Sequence, residues 1–201
     1  MFLTKTYAIE DCYFYDDATT DNTSNYTTSA ISSFTQDTDH YIATKTMASA
    51  TATNYYAHLY PTNIADLPSD YEFSIDLKVN SKGSDFQSGL QVSDSHITTY
   101  QNANELSNLL RQSDLGIFYR VNGTLTRYTG NHTLSTSVWY RLTFKVEGTS
   151  VNAVVTNLDS SSVVFSETKT LSNVTGWHKS QLALGGQTQT LHFKNLKVKP
   201  L

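Results

Sequence analysis

The sequence predicts an all-β protein: a two-sheet antiparallel sandwich of about a dozen short strands with at most one short helix. Three observations carry this. Apolar and polar residues alternate strictly along Tyr71-Glu-Phe-Ser-Ile-Asp-Leu-Lys-Val79, the period of a half-buried strand. Similar short runs recur along the chain, separated by tight-turn signals such as Asn122-Gly123 and Glu147-Gly-Thr-Ser150,. No strand–helix alternation accompanies them, which excludes doubly wound and barrel α/β folds.

The elements follow in order. Lys5 to Asp17 carries Tyr7, Ile9, Tyr13 and Tyr15 at alternate positions and reads as a strand entering an acidic turn,. Residues 18–38 are almost all Thr, Ser, Asn, Asp and Ala, and read as a long surface loop with one irregular strand near Ile31–Phe34,. His40–Met47 and Asn54–Tyr60 are strands, and Pro61 and Pro68 bracket a connector,. In Tyr71–Val79 one face is buried and the face bearing Glu72, Ser74, Asp76 and Lys78 meets water or a ligand. Phe86, Ser88, Leu90 and Val92 repeat the alternation.

Residues 101–112 place Leu106, Leu109 and Leu110 at three/four spacing, which predicts a helical turn within a loop,. Strands resume at Leu115–Asn122, Leu125–Tyr128, Val138–Glu147, Val151–Thr156, Ser162–Thr168, His178–Leu184 and Thr190–Lys199. Leu191 and Phe193 share one parity while Leu196 and Val198 share the other, so a bulge is expected near Lys194-Asn195,.

The chain of 201 residues shows no linker and no repeat, so residues 1–201 are read as one domain,. Charged residues make up 16% of the chain, against roughly 25% in average soluble proteins. Uncharged polar residues with many tyrosines suit contact with a neutral, hydroxyl-rich partner. A net charge of −4 offers no basic footprint for nucleic acid,. Lys194, Lys197 and Lys199 read as the solvated side of a strand. The single cysteine, Cys12, excludes an internal disulfide,. Met1-Phe-Leu-Thr-Lys5 is too short for a signal peptide, and no apolar run approaches the roughly 18 residues of a membrane span, so membrane insertion is not expected,.

Three segments in order resemble one family. Asp16-Asp17-Ala-Thr-Thr-Asp21…Asn25-Tyr26 resembles the opening of lectin-like sandwich domains. Trp139-Tyr-Arg-Leu-Thr-Phe-Lys-Val-Glu-Gly148…Val151-Asn-Ala153 resembles their central hairpin, and Leu184-Gly-Gly186…Phe193-Lys-Asn-Leu-Lys-Val198 their closing strand. The chain is similar to concanavalin A-like lectin/glucanase (laminin G-like) domains, which implies a jelly-roll β-sandwich. Such domains often bind glycans and occur in adhesins, in carbohydrate-active enzymes and in viral or phage tails and fibres. The resemblance therefore implies a non-catalytic carbohydrate-binding or adhesion module on a virion or extracellular surface. Its partner would be a glycan or cell-surface polysaccharide, alongside other virion or surface subunits or copies of itself. A structural virion or surface protein without a glycan ligand is the alternative, and a glycoside hydrolase or lyase the second.

For hydrolysis two carboxyl groups must flank the scissile bond about 5–9 Å apart. Glu72 and Asp76 are four residues apart on one strand, about 13 Å, too far for either mechanism. Sugar binding instead needs aromatic faces and a few orienting polar groups. Glu72, Asp76, Gln87, Gln91, Arg120 and Arg141 are the expected ligand residues on the polar face, with Trp177 in an exposed turn. Between Trp139 and Tyr140, one packs in the core. Calcium needs clustered oxygen ligands, for which Asp11, Asp16 and Asp17 are the candidates, with Asp21 nearby. The resemblance implies a calcium site where first and last strands meet, but Lys194 stands where the family carries an aspartate.

Overall fold

The computed structural model describes residues 12–46, 56–62, 67–83, 85–94, 104–172, 174, 177 and 179–201. Fifteen strands form two antiparallel sheets facing each other. The larger sheet runs β13 (Ser162–Thr170), β12 (Ser150–Asn157), β11 (Trp139–Glu147), β6 (Tyr71–Lys82), β15 (Gln189–Pro200), β4 (His40–Lys45) and β3 (Ser33–Asp37), and β1 (Phe14–Asp16) also pairs with β15. The smaller runs β10 (Thr124–Asn131), β9 (Asp114–Val121), β8 (Glu105–Arg111), β7 (Gln87–Ser93), β14 (Lys179–Gly185), β5 (Tyr56–Pro61) and β2 (Tyr26–Ser29).

The period-two reading of β6 holds: Tyr71, Phe73, Ile75, Leu77 and Val79 are at most 3% exposed and line the core between the sheets. The Asn122-Gly123 turn joins β9 to β10 as a two-residue loop, with φ of 49° and 80° at its two positions, the positive angles such hairpins require. The expected bulge in β15 lies between Lys194 and Lys197, where Asn195 adopts φ 52°. It turns the parity over, so Leu191, Phe193, Leu196 and Val198 are all buried on one side.

Three expectations are corrected. The segment read as a helical turn is β8 from Glu105 onward; residues 101–103 lie outside the described residues. Both faces of β8 are covered: Leu106 and Leu110 face the core, Leu109 the outside, and all are buried. Two-sided burial erases the alternation that identifies a strand. The loop read over residues 18–38 contains β2, β3 and one 3-10 turn at Thr23–Asn25. These are edge strands of mostly uncharged polar residues, held by backbone pairing to β5 and β4 and by one aromatic anchor each, Tyr26 and Phe34,. In β1 the inward residues are Phe14 and Asp16, while Tyr13 and Tyr15 are exposed. Positions 5–11 of that predicted strand lie outside the described residues.

Asn108 fixes which side of the smaller sheet faces inward. Its Nδ2 donates across the sandwich to the carbonyl oxygens of Thr143 and Val154, at 3.1 and 3.2 Å. Its neighbours Ser107 and Leu109 therefore point outward, and the strand register extends that face across the sheet.

Candidate functional site

A two-layer sandwich has two outer faces, and the residues expected to share one polar face divide between them. Glu72, Asp76 and Arg141 stand on the larger sheet; Gln87, Gln91 and Arg120 stand on the smaller. The two groups are separated by the core and cannot grip one ligand together.

On the smaller sheet, the register sets Gln91 opposite Gln181 of β14 and Ser107 of β8, and Glu105 opposite Arg120 of β9. These side chains are joined. Gln181 Nε2 donates to Gln91 Oε1 at 2.5 Å, Gln91 Nε2 donates to Glu105 Oε2 at 2.6 Å, and Arg120 Nε meets Glu105 Oε1 at 3.3 Å. The result is a polar row across four strands. Although it points away from the core, its members are at most 5% exposed. Burial pushes the Glu105 carboxyl up to about 7, against the opposing pull of Arg120 and Gln91. Ser107 Oγ, beside the row, is buried with no hydrogen-bond partner among the described residues.

Apolar residues complete this face. Tyr56, Leu109, Phe118 and Ala183 are buried but take no part in the core between the sheets. His58 sits opposite Ala183, with its ring 5.5 Å from that of Tyr56. The guanidinium groups of Arg111 and Arg127 lie 5.3 and 5.9 Å from the Phe118 ring centre. Arg111 pairs with Asp114 at 3.0 Å and its side chain is 27% exposed, while Arg127 is exposed, so this end of the face is accessible. Gln87, opposite Arg111 and Gly185, belongs to the same face.

On the larger sheet Asp76 and Arg141 satisfy each other. Arg141 Nε and Nη2 donate to the two oxygens of Asp76 at 2.6 and 2.7 Å, and Asn195 Nδ2 adds a third bond at 2.7 Å. Asp76 is thus 2% exposed instead of meeting solvent. Trp177 is also corrected: it is 6% exposed, with its ring 5.8 Å from Tyr119, because Leu171, Val174 and Trp177 fold inward as one apolar group. Of Trp139 and Tyr140, Tyr140 is the fully buried one, as alternation requires.

Asp16, Asp17 and Asp21 each have hydrogen-bond partners of their own within the protein. Asp16 is buried and accepts bonds from the hydroxyls of Tyr26 (2.8 Å) and Tyr41 (3.0 Å) and from the Ala18 amide (2.9 Å). Phenol donors aimed at a carboxylate occupy the lone pairs a cation would need. Asp17 and Asp21 each bind the amide and hydroxyl of a threonine two residues on. Asp11 lies outside the described residues. Among the described residues no three His, Cys, Asp or Glu side chains form a metal-binding group. Lys194 pairs with Asp39 at 2.6 Å.

The sequence reading missed Glu105, Ser107, Gln181 and His58. Glu105 and Ser107 fell in the segment read as helical, and burial of both strand faces left no period-two signal to find them.

No protein-family model matches this chain, and no curated protein does. Solved structures do. The lectin UEA-II, complexed with galactose, aligns with a TM-score of 0.69 at 10% identity, covering 92% of this chain and 97% of the lectin. The CBM2 module of the evolved Dit of Lactobacillus casei BL23 phage J-1 aligns at 0.61 and 10% identity, covering 94% of both chains. The family 7 alginate lyase A1-II′ aligns at 0.60 and 10% identity, covering 84% and 83%. The fold is a concanavalin A-like β-sandwich. At such identities the likeness fixes the architecture, and a lectin, a phage module and a lyase share it.

Proposed function

We propose that this chain is a non-catalytic carbohydrate-binding or adhesion module whose partner is a glycan or cell-surface polysaccharide, engaged by the outer face of the smaller sheet. The observation that carries this reading is the Gln181–Gln91–Glu105–Arg120 row. Planar amides, a carboxylate and a guanidinium together supply donors and acceptors in fixed directions, the complement that vicinal hydroxyls require. Tyr56 and Phe118 flank the row on the same face and supply apolar surface. The end at Arg111 and Arg127 is where a ligand first makes contact.

The non-catalytic reading rests on the carboxylates. Glu105 is the one carboxylate in the row; nearby Asp94 accepts from Asn104, and Asp114 is held by Arg111. Two-carboxylate glycoside hydrolysis requires a partner that the described part of the row lacks. The galactose complex of UEA-II supports a saccharide as ligand, and the phage module supports a place in a viral or phage tail, fibre or surface assembly.

A second reading is a structural virion or surface protein. The near-complete burial of the polar row favours it, since a satisfied network also stabilises a sheet without any ligand. A polysaccharide screen followed by calorimetry on wild type and Gln181→Ala separates the two. The binding reading predicts saturable binding to at least one polysaccharide, weakened about tenfold by the variant for one lost hydrogen-bonding contact. Silence across all polysaccharide classes selects the structural reading.

A further inference from the structure

We infer that the outer face of the larger sheet carries a separate ligand site, centred on Trp139, for a saccharide bearing a carboxylate or sulfate group. This does not depend on the role proposed for the smaller sheet. Trp139 of β11 stands opposite Lys78 of β6, which stands opposite His192 of β15; Lys194 lies two residues further along β15 and His40 on β4 beyond. Strand register thus gathers one indole, two ammonium groups and two imidazoles on one face.

The contacts are close. Lys78 Nζ is 4.8 Å and Lys194 Nζ 4.9 Å from the Trp139 ring centre, cation–π distances that hold both ammonium groups in place before any ligand arrives. The His40 and His192 rings stack 4.7 Å apart at 15°, and His40 meets the indole edge-on at 6.0 Å. Trp139 is only partly buried, unlike Tyr140 beside it.

The cluster has unused capacity for an anion and hydroxyls. Asp39 accepts from both Lys194 (2.6 Å) and His40 Nδ1 (3.0 Å), but Lys78 has no carboxylate partner among the described residues. Of the other acids on this face, Asp37 stands 4.0 Å from His40 and is 61% exposed, and Asp76, opposite Lys194, is held by Arg141 and Asn195. His40 Nε2 and His192 Nδ1 are shielded and lack hydrogen-bond partners among the described residues. Burial, helped by His40 and Lys78, pushes His192 down to about 4, so its ring is neutral and offers one donor and one acceptor,. A sugar ring at the edge of the indole would bring its acidic substituent to Lys78.

The test uses the full chain and three probes: an oligogalacturonate, a sulfated galactan oligosaccharide and a neutral galactan oligosaccharide, followed by tryptophan fluorescence and calorimetry. The expected result is saturable binding of at least one acidic probe, weakening as ionic strength rises. The acidic probe that binds identifies the source of the charge. Lys78→Gln should weaken binding by roughly tenfold, and Lys194→Gln serves as a second variant should the first fail to fold. Gln181→Ala, on the opposite sheet, should leave this binding unchanged, which keeps the two sites distinguishable. Failure of both acidic probes, equal binding of the neutral probe, or unchanged affinity in the lysine variants overturns the proposal.

Discussion

Arg141 and Asp76 face each other across β11 and β6, joined by two hydrogen bonds of 2.6 and 2.7 Å on the outer side of the larger sheet. The Asp76 side chain is 3% exposed and that of Arg141 48%. Arg141 is therefore the lid that makes the burial of Asp76 tolerable. Arg141→Ala leaves a buried carboxylate whose one remaining side-chain donor among the described residues is Asn195, and should cost about 1–3 kcal/mol of stability,. Denaturant unfolding of the variant checks this; an unchanged midpoint contradicts it.

Asn195 tests the bulge. Its φ of 52° lies in the left-handed region, and its side chain reaches Asp76. Asn195→Gly keeps the backbone and loses the bonds to Asp76 and from Tyr15, whereas Asn195→Val loses the same bonds and adds strain of about 1–2 kcal/mol,. The valine variant should unfold at a clearly lower denaturant concentration than the glycine variant, and equal midpoints would show that the bulge is not specified here.

These two features differ in how far the sequence discloses them. The bulge was legible, because Leu191 and Phe193 cannot share a buried face with Leu196 and Val198 unless one residue is skipped. So were β6 and the Asn122-Gly123 hairpin, where one-sided burial and turn chemistry leave a direct imprint. The partnership of Arg141 with Asp76 was not: both residues were recognised as polar-face residues, but their mutual satisfaction depends on which strand lies beside which. The same ignorance of strand order merged two outer faces into one candidate site. Gln87, Gln91 and Arg120 were legible as polar strand residues, whereas Glu105 and Ser107 were hidden in a strand buried on both sides.

Asp16 anchors the start of the chain to the sandwich through Tyr26 and Tyr41. Burial, and then the adjacent carboxylate, hold the Tyr26 hydroxyl well above the usual tyrosine range, so it remains a donor at all ordinary pH values. Tyr26→Phe and Tyr41→Phe should each cost about 1.5–3 kcal/mol, the range for a hydrogen bond to a charged group. Asp16→Ala removes the acceptor that both hydroxyls share, leaving Tyr41 only its bonds to Thr20 and Asn22, and should cost more than either. The comparison is made by thermal or denaturant unfolding, and a harmless Asp16→Ala would contradict it.

Glu105 gives a pH signature. Its folded-state carboxyl is raised to about 7 from an ordinary 4.5, so the folded state binds more protons than the unfolded state between those values. Its contribution to stability is therefore greatest below the unfolded value and is lost as pH rises through about 7,. His192, lowered to about 4, acts oppositely: its contribution is lost as pH falls from 6.5 toward 4,. The two partly cancel in wild type. Glu105→Gln removes the falling component, so its stability relative to wild type should increase from pH 5 to pH 8. Parallel pH profiles for the two proteins would contradict this assignment.

The side-chain amide resonances of Gln91 and Gln181, followed while a polysaccharide identified by screening is titrated in, test the central claim most directly. A recognition surface on the smaller sheet predicts that both amides shift saturably while that of Asn152, on the larger sheet, stays in place. Binding that leaves Gln91 and Gln181 unmoved, or no binding by any polysaccharide class, would contradict the account.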